Sequence, residues 1–300
     1  MEKYIFIVNP MAGKGRGKKI LQSLRAHILE FFPKAEIITT ERRMHAYDLA
    51  LEMKNDPENV IVAVGGDGTV NEVGNALIEG NATMSVIPIG SGNDFVKMFN
   101  IPTNIYKALQ KLKQGVRRDS DAGFTTITSA EGSKSDRYFL NGIGIGFDAA
   151  VANQTRKFKR LSGVSLYAVS VAIVLFKYET PNMMMSLNGS MYNGEHFLIA
   201  IGNGKCAGGG FYLTPDAEID DGLLDVCLVD NVSIPQVMRI FPSVMKGKHK
   251  KHNQVHFYRT DALRVESQKE IMIHADGEVL STNALGIDIR VVPKALKILA

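Results

Sequence analysis

The sequence predicts an α/β half followed by an all-β half: a doubly wound parallel-sheet domain, then an antiparallel β-sandwich domain. Three observations carry this. Val60–Val64 is a continuously apolar, β-branched run that stops on a glycine turn and resumes as a helical pattern, as a strand buried on both faces of a parallel sheet does. Met84–Ile89 repeats the arrangement and stops on Gly90-Ser91-Gly92. Beyond Arg118 helical patterns become scarce, and short alternating strands separated by turn signals take over. The domains are set at residues 1–120, joined by a C-terminal strand at about 294–300, and at residues 121–293.

A chain of 300 residues with 45% apolar and 22% charged side chains can build two cores and does not read as disordered. The net charge of +4 says little as a total, but Lys and Arg come in clusters. Cys206 and Cys227 provide neither a disulfide framework nor metal-ligand spacing. Met1-Glu2-Lys3 leads directly into a strand with no cleavage site. The longest apolar run, Val164–Phe176, is too short to cross a bilayer. The expectation is a cytoplasmic protein.

In order, Tyr4–Val8 reads as a buried strand and Asn9–Lys19 as a flexible basic loop. The loop is not a P-loop, because Ala12 and Lys19 occupy the two defining ends of that motif. Ile20–Phe32 has helical periodicity and ends at Pro33; Glu36–Thr40 is a strand and Ala46–Lys54 a helix. The central strand runs into Gly65-Gly66-Asp67-Gly68, after which Thr69 and Glu72 have capping-box spacing. Helix Val70–Ile78 follows, with Gly80 as its C′ residue. Such a strand, glycine turn and helix start lets backbone N–H groups approach an anion. Asp67 would repel a phosphate unless a divalent cation lay between them; the alternative is a tight Asp-Gly turn, and local physics does not choose.

In the second turn Ser91 and Asp94 again have capping spacing before the short helix at Phe95–Met98. Two such turns at adjacent strand ends would converge on one crevice, which favours a nucleotide phosphate site. Helix Ile105–Gln114 closes the first half. Strands are then expected at Gly123–Ser129, Arg137–Leu140, Met183–Leu187, His196–Ile201, Leu223–Leu228, Gln254–Arg259, Ala262–Glu266, Ile271–Ala275 and Ile287–Val292, interrupted by one helix, Ser162–Tyr178. Gly144-Ile145-Gly146 with Ala149, and Gly202-Asn203-Gly204 with Ala207, imitate dinucleotide-binding fingerprints. The first lacks an acid about twenty residues on, and the second runs into more glycine rather than a helix.

Six pieces in fixed order complete the reading: VNPMAGKGRG (Val8–Gly17), GGDGTVNEV (Gly65–Val73), PIGSGNDF (Pro88–Phe95), NGIGIGFDA (Asn141–Ala149), GNGKCAGGGFYLTPDAEIDDGLLDV (Gly202–Val226) and DGE (Asp276–Glu278). With these the chain resembles the diacylglycerol kinase catalytic family, in particular its soluble bacterial lipid kinases, nearly end to end. The resemblance implies an ATP-binding α/β domain of the phosphofructokinase/NAD kinase-like type, a β-sandwich domain for the lipid, and ATP in the cleft between. It implies that Asn9, Pro10, Met11, Ala12, Gly13, Thr40, Gly65, Gly66, Asp67, Gly68, Thr69, Val70, Asn71 and Ser91 contact ATP. Asp67, Asp94 and Asp121 would form an acidic network holding Mg²⁺ through water, although an N3 capping role explains Asp94 equally well. Glu278 would be the general base, acting with Asp67 at the catalytic centre. Read without the family, Asp276-Gly277-Glu278 is a hairpin turn. The same resemblance implies a structural Mg²⁺ site at Asp221 with the main-chain carbonyls of Glu218 and Leu223; a solvated acidic turn is the alternative.

A lipid kinase without a membrane span must reach its substrate from the surface. Arg156, Lys157, Lys159 and Arg160 precede the apolar helix, and Lys246, Lys248, Lys250 and Lys251 form a second cluster. At about 1 kcal/mol per cation near an anionic surface, either cluster could support reversible peripheral docking, with solvated loops as the plain alternative. No nucleic-acid module or aromatic interleaving accompanies these runs, so nucleic acid is not an expected partner. A homodimer is left open. Helix Ser162–Tyr178 is apolar around its circumference, either core or half-exposed to lipid. The expected activity is ATP- and Mg²⁺-dependent phosphorylation of a hydroxyl on diacylglycerol or a related lipid. The rivals are another kinase with the same turn, such as an NAD kinase, and a lipid-binding regulator without catalysis.

Overall fold

Strand β3 (Asn59–Gly65) is buried at every residue, as is β4 (Thr83–Pro88) beside it. Each Val or Ile so buried stabilises the fold by about 1.5–3 kcal/mol, which is why these two apolar runs form the centre of a sheet. A computed structural model describes residues 2–158 and 163–300. The chain forms two compact units, Met1–Asp121 with Lys294–Ala300, and Ala122–Pro293.

The first unit is a parallel sheet in the order β2 (Glu36–Thr39), β1 (Lys3–Val8), β3, β4, with the last residues of the long C-terminal strand β13 (Glu278–Leu299) alongside β4. The buried Ser85 hydroxyl ties that strand in by donating to the Leu299 carbonyl at 2.7 Å. Helices α1 (Ala12–Phe31), α2 (His45–Met53), α3 (Asp67–Leu77), α4 (Asp94–Met98) and α5 (Ile105–Gln114) connect the strands. The chain runs outward from β1 to β2 and returns to β3 on the other side of β1. The order therefore reverses between β1 and β3, where open α/β sheets bind ligands.

Several expected details are corrected. The loop at Asn9–Lys19 is mostly the start of α1, interrupted where Gly13, Lys14 and Gly15 all take positive φ. Neither capping box forms. Helix α3 starts two residues before Thr69, with Gly66 as N-cap, and Glu72 instead accepts the Met44 N–H at 3.2 Å. The α4 N-cap is Asn93 in the left-handed region, and Ser91 lies outside the helix. At the end of α3 it is Glu79, not Gly80, that takes positive φ.

The second unit is built from antiparallel strands: β6 (Lys134–Phe139), β7 (Gly142–Gly146), β8 (Asn182–Leu187), β9 (Ser190–Gly202), β10 (Leu224–Asp230), β11 (Val255–Thr260), β12 (Ala262–Ala275) and most of β13, with β5 (Arg117–Ser129) leading in. β9 pairs with β8 through its first half and with β7 through its second. β12 likewise pairs with β8 through its first half and with β7 through its second, and shifts register between Glu266 and Ile271. Long strands that change partners across a bulge fold a sheet over itself, here around Ile143, Met183, Ile199, Val226, Val265 and Ile273. The gap expected between Glu266 and Ile271 is thus a bulge within one strand. Helices α6 (Phe147–Thr155), α7 (Gly163–Leu175) and α8 (Ile234–Val244) cover a second cluster containing Val151, Val171, Phe211, Cys227 and Ile240. Of the expected helix Ser162–Tyr178, α7 is the helical part, and Ser162 lies outside the described residues. Among the described residues no helix is long and apolar enough to cross a membrane.

Candidate functional site

At the carboxyl ends of the first unit's strands, each chain segment is stitched to its neighbour one residue beyond the strand. Thr40 N–H donates to the Val8 carbonyl, Asn9 to Val64 and Ile89 to Gly65, at 2.8–2.9 Å. Asn9 also donates its amide to the Thr69 hydroxyl at 2.9 Å and accepts the Met11 N–H at 2.9 Å, fixing the β1 loop on the first turn of α3. The two glycine turns touch: a Cβ on Gly90 would lie 2.4 Å from the Gly66 Cα. Only glycine permits that approach.

Asp67 completes the contact. Its carboxylate accepts the N–H of Asn93 at 2.9 Å and of Asp94 at 2.8 Å, capping α4 from 27 residues away. Asp94 is buried and paired with Lys97 at 2.6 Å. Asp67 and Asp94 border one point, where a Cβ on Gly92 would sit 2.6 Å from an Asp67 oxygen and 3.7 Å from an Asp94 oxygen. Asp121 is buried and accepts the Lys294 N–H at 2.7 Å. Among the described residues no three His, Cys, Asp or Glu side chains are gathered closely enough to cage a metal. Two carboxylates without a cage fit Mg²⁺, which keeps most of its waters and takes phosphate oxygens as ligands. Of the residues expected at ATP, Met11, Gly68 and Ser91 are exposed, and Pro10, Gly13 and Gly66 half-buried; Ala12, Gly65, Thr69, Val70 and Asn71 are buried.

In the second unit Ala275 pairs with Glu278 across Asp276 and Gly277, whose φ values of 48° and 83° define a two-residue hairpin turn of the type I′ kind. Asp276 anchors it by accepting the N–H groups of Leu140, Asn141 and Gly142 at 2.8–3.0 Å. Asn141 in turn accepts the N–H groups of Asn203 and Gly204 at 3.0 and 2.7 Å. Three of the sequence pieces thus meet at one place. Glu278, first in β13 and partly exposed, is paired with Arg137 at 3.1 Å.

Close by along β12 lies a group that sequence reasoning missed. Buried Asp148 accepts from His274 at 2.8 Å and from the Tyr167 hydroxyl. Burial pushes the Asp148 carboxyl up, but the His274 charge and hydrogen bond, with Tyr167, outweigh it and leave it below its ordinary value. Burial opposes the His274 charge, yet Asp148, and more weakly Asp276, raise it above its ordinary value. Burial and then Asp148 push Tyr167 up as well. A Cβ on Gly144 would lie 2.4 Å from both Asp148 and His274. Gly144, one of the glycines that imitate a dinucleotide fingerprint, thus makes room for a buried ion pair.

At the expected structural metal site, Asp221 accepts the Leu223 N–H at 3.0 Å through one oxygen and binds Arg259 through the other. Arg259 also lies 3.4 Å from Asp225, whose carboxyl is pushed up to about 6 by burial and then by Glu218. As it stands the loop is arranged around a guanidinium, and a metal there would have to displace it. Of the first basic cluster, Lys159 and Arg160 lie outside the described residues, while Arg156 and Lys157 are exposed. In the second cluster Lys250 is paired with Asp216 and stacked over Phe257.

A parallel α/β unit with interlocked glycine turns at its strand ends marks a class of protein suited to holding nucleotide phosphates. The diacylglycerol kinase catalytic domain matches residues 3–125, and the YegS C-terminal NAD kinase beta sandwich-like domain matches residues 141–300. The chain belongs to the diacylglycerol kinase catalytic family and is a kinase. It is 26% identical to a diacylglycerol kinase of Staphylococcus saprophyticus over 91% of this chain and 87% of that one. It is 27% identical to a diacylglycerol kinase of Staphylococcus aureus over 91% and 84%. A crystal structure of a diacylglycerol kinase from Bacillus anthracis has the same fold, at 23% identity, 99% and 96% coverage and a TM-score of 0.71. Yeast NADH kinase in complex with NADH is a more distant fold relative, at 11% identity, 100% and 83% coverage and a TM-score of 0.53.

Proposed function

We propose that this chain transfers the γ-phosphate of ATP to a hydroxyl of diacylglycerol or a related lipid, giving phosphatidic acid or its analogue. The observation that carries the reading is the interlock of the two glycine turns through Asp67, beside the β1/β3 switch point where Asn9 is tied to Thr69. The N-terminus of α3 and the backbone around Gly66 and Gly68 would receive the ATP phosphates. Asp67 and Asp94, and Asp121 as the family resemblance implies, would hold Mg²⁺ through water; when bound, that ion would neutralise charge on the transferring phosphoryl group. Glu278 would accept the proton of the lipid hydroxyl as its oxygen attacks, with Arg137 fixing the carboxylate's direction. The homologous kinases named above support the substrate class; their acceptors are properties of those proteins.

The deciding experiment is transfer of labelled γ-phosphate from ATP with Mg²⁺ to a lipid panel in mixed micelles, with NAD alongside. Label on a lipid is the expected result. Label on NAD alone would move the chain to the nicotinamide nucleotide kinases, and no transfer to any acceptor would favour a lipid-binding regulator.

A further inference from the structure

Helices α7 and α8 bury one side each in the same cluster. Tyr167 of α7 and Phe241 of α8 both pack against the Phe211 ring, with centroids 4.3 and 5.3 Å from it. A covering helix ordinarily turns charged or polar residues to solvent. These two do so sparingly: among the described side chains, Ser165 on α7 and Arg239 on α8 are the exposed polar or charged ones. The other exposed residues of α7 and the residue beyond it are Val169, Ala172, Ile173 and Phe176, with Phe176 75% exposed. Those of α8 and the residue beyond it are Ile234, Pro235, Met238, Pro242 and Met245, with Met238 66% exposed. Single exposed apolar residues are ordinary. Two adjoining helices with apolar residues on successive outward turns form a patch that calls for an occupant.

The charge around the patch says what that occupant is. Residues 149–178 and 231–252 contain no Asp or Glu, in a chain that has 31 of them. The acids that border them are Glu179, Asp230, Glu195, which accepts from Asn231, and Asp216, which is paired with Lys250. The two stretches do contain exposed Arg156, Lys157, Lys177, Arg239, Lys246 and Lys248. In a symmetric pair of copies this rim would face itself and repel. Against an anionic lipid surface it is complementary, with the apolar residues below the phosphates and the cations level with them.

We propose that the outward faces of α7 and α8 form a bilayer-insertion surface, with Phe176 and Met238 entering the acyl region of an anionic leaflet. This deepens the lipid-kinase reading by naming the face that meets the membrane, and its test needs no turnover. The chain contains no tryptophan, so Phe176→Trp and Met238→Trp each supply one reporter, and Met191→Trp on β9, where Met191 is 66% exposed, supplies a control. The probes are vesicles of equal parts phosphatidylglycerol and phosphatidylcholine, with and without brominated acyl chains.

Blue-shifted emission quenched by the brominated lipid at positions 176 and 238, but not at 191, is the expected result. A Phe176→Ser, Met238→Ser double variant with unchanged far-UV dichroism should bind these vesicles at least about tenfold more weakly, one decade per 1.4 kcal/mol lost. Vesicle binding without quenching at 176 and 238 would overturn the proposal. So would equal quenching at 191, no binding at all, or burial of the patch in a concentration-dependent dimer. Quenching without phosphate transfer to any lipid would overturn the kinase reading and leave the insertion surface standing.

Discussion

The carboxylate of Asp67 accepts the backbone N–H of Asp94 at 2.8 Å, so the first glycine turn carries the cap for the helix that follows the second. Asn93 donates to the other oxygen at 2.9 Å, so both oxygens hold the second turn. Asp67 thus has a structural role beside the cation-binding role that the family resemblance implies.

Asp67→Asn separates them. An amide retains one acceptor but turns an NH₂ toward a backbone N–H, so one charge-assisted bond is lost, at a cost of about 1.5–3 kcal/mol. Denaturant unfolding should show that loss without Mg²⁺ or nucleotide, and turnover should fall further than stability accounts for. Stability equal to that of the unaltered chain would mean that Asp67 does not hold the second turn.

Glu278 is presented by a hairpin that Asp276 bolts to residues 140–142 through three backbone hydrogen bonds, so replacing it should disturb little besides chemistry. Glu278→Gln is expected to bind ATP unchanged and to lose a factor of about 10² to 10⁴ in turnover. Arg137→Met should lose less, since it positions the carboxylate without taking the proton. Calorimetric ATP titration and single-turnover transfer separate binding from chemistry. Turnover in Glu278→Gln within a few-fold of normal would remove this residue from the proton transfer.

Arg259 supplies positive charge to Asp221 and lies near Asp225. If the guanidinium meets the loop's charge, melting of the unaltered chain should be the same in Mg²⁺ and in chelator. Arg259→Met should then melt lower and regain temperature when Mg²⁺ is added. A higher Tm for the unaltered chain in Mg²⁺ would mean that a metal takes Asp221 from Arg259 in solution.

What was legible in the sequence was whatever depends on neighbours along the chain. Val60–Val64 and Met84–Ile89 declared themselves buried strands because burial on both faces demands unbroken apolar runs. The missed elements fail that rule. β7 reads Gly-Ile-Gly-Ile-Gly, with little strand propensity, because Gly144 clears space for Asp148 and His274. α8 holds Pro235 and Pro242, which hide a helix, although Ser233 and Gln236 carried its capping signal. The capping spacings at Thr69 and Ser91 misled for a related reason. The cap of α4 is Asp67 from another turn, and no local pattern encodes it. Asp148 and His274 lie 126 residues apart, and only the sandwich brings them together.

That pair gives the last prediction, through its dependence on pH. His274 is raised above its ordinary 6.5, so its share of the stabilisation is complete below pH 6.5 and is lost as pH climbs through the raised value. Asp148 is lowered below its ordinary 3.8, so its share is complete above pH 3.8 and is lost as pH drops through the lowered value. Both shares are complete only between those limits. Asp148→Asn leaves a buried imidazole without its counter-ion and should cost about 3–5 kcal/mol there. The cost should shrink in alkaline buffer, where His274 is neutral in both proteins. Unfolding free energies of the two proteins across that pH range, read from urea titrations, test this. A difference that stays constant with pH would mean the two side chains share a proton as a neutral hydrogen bond. The Gly144 clearance would then serve packing rather than charge.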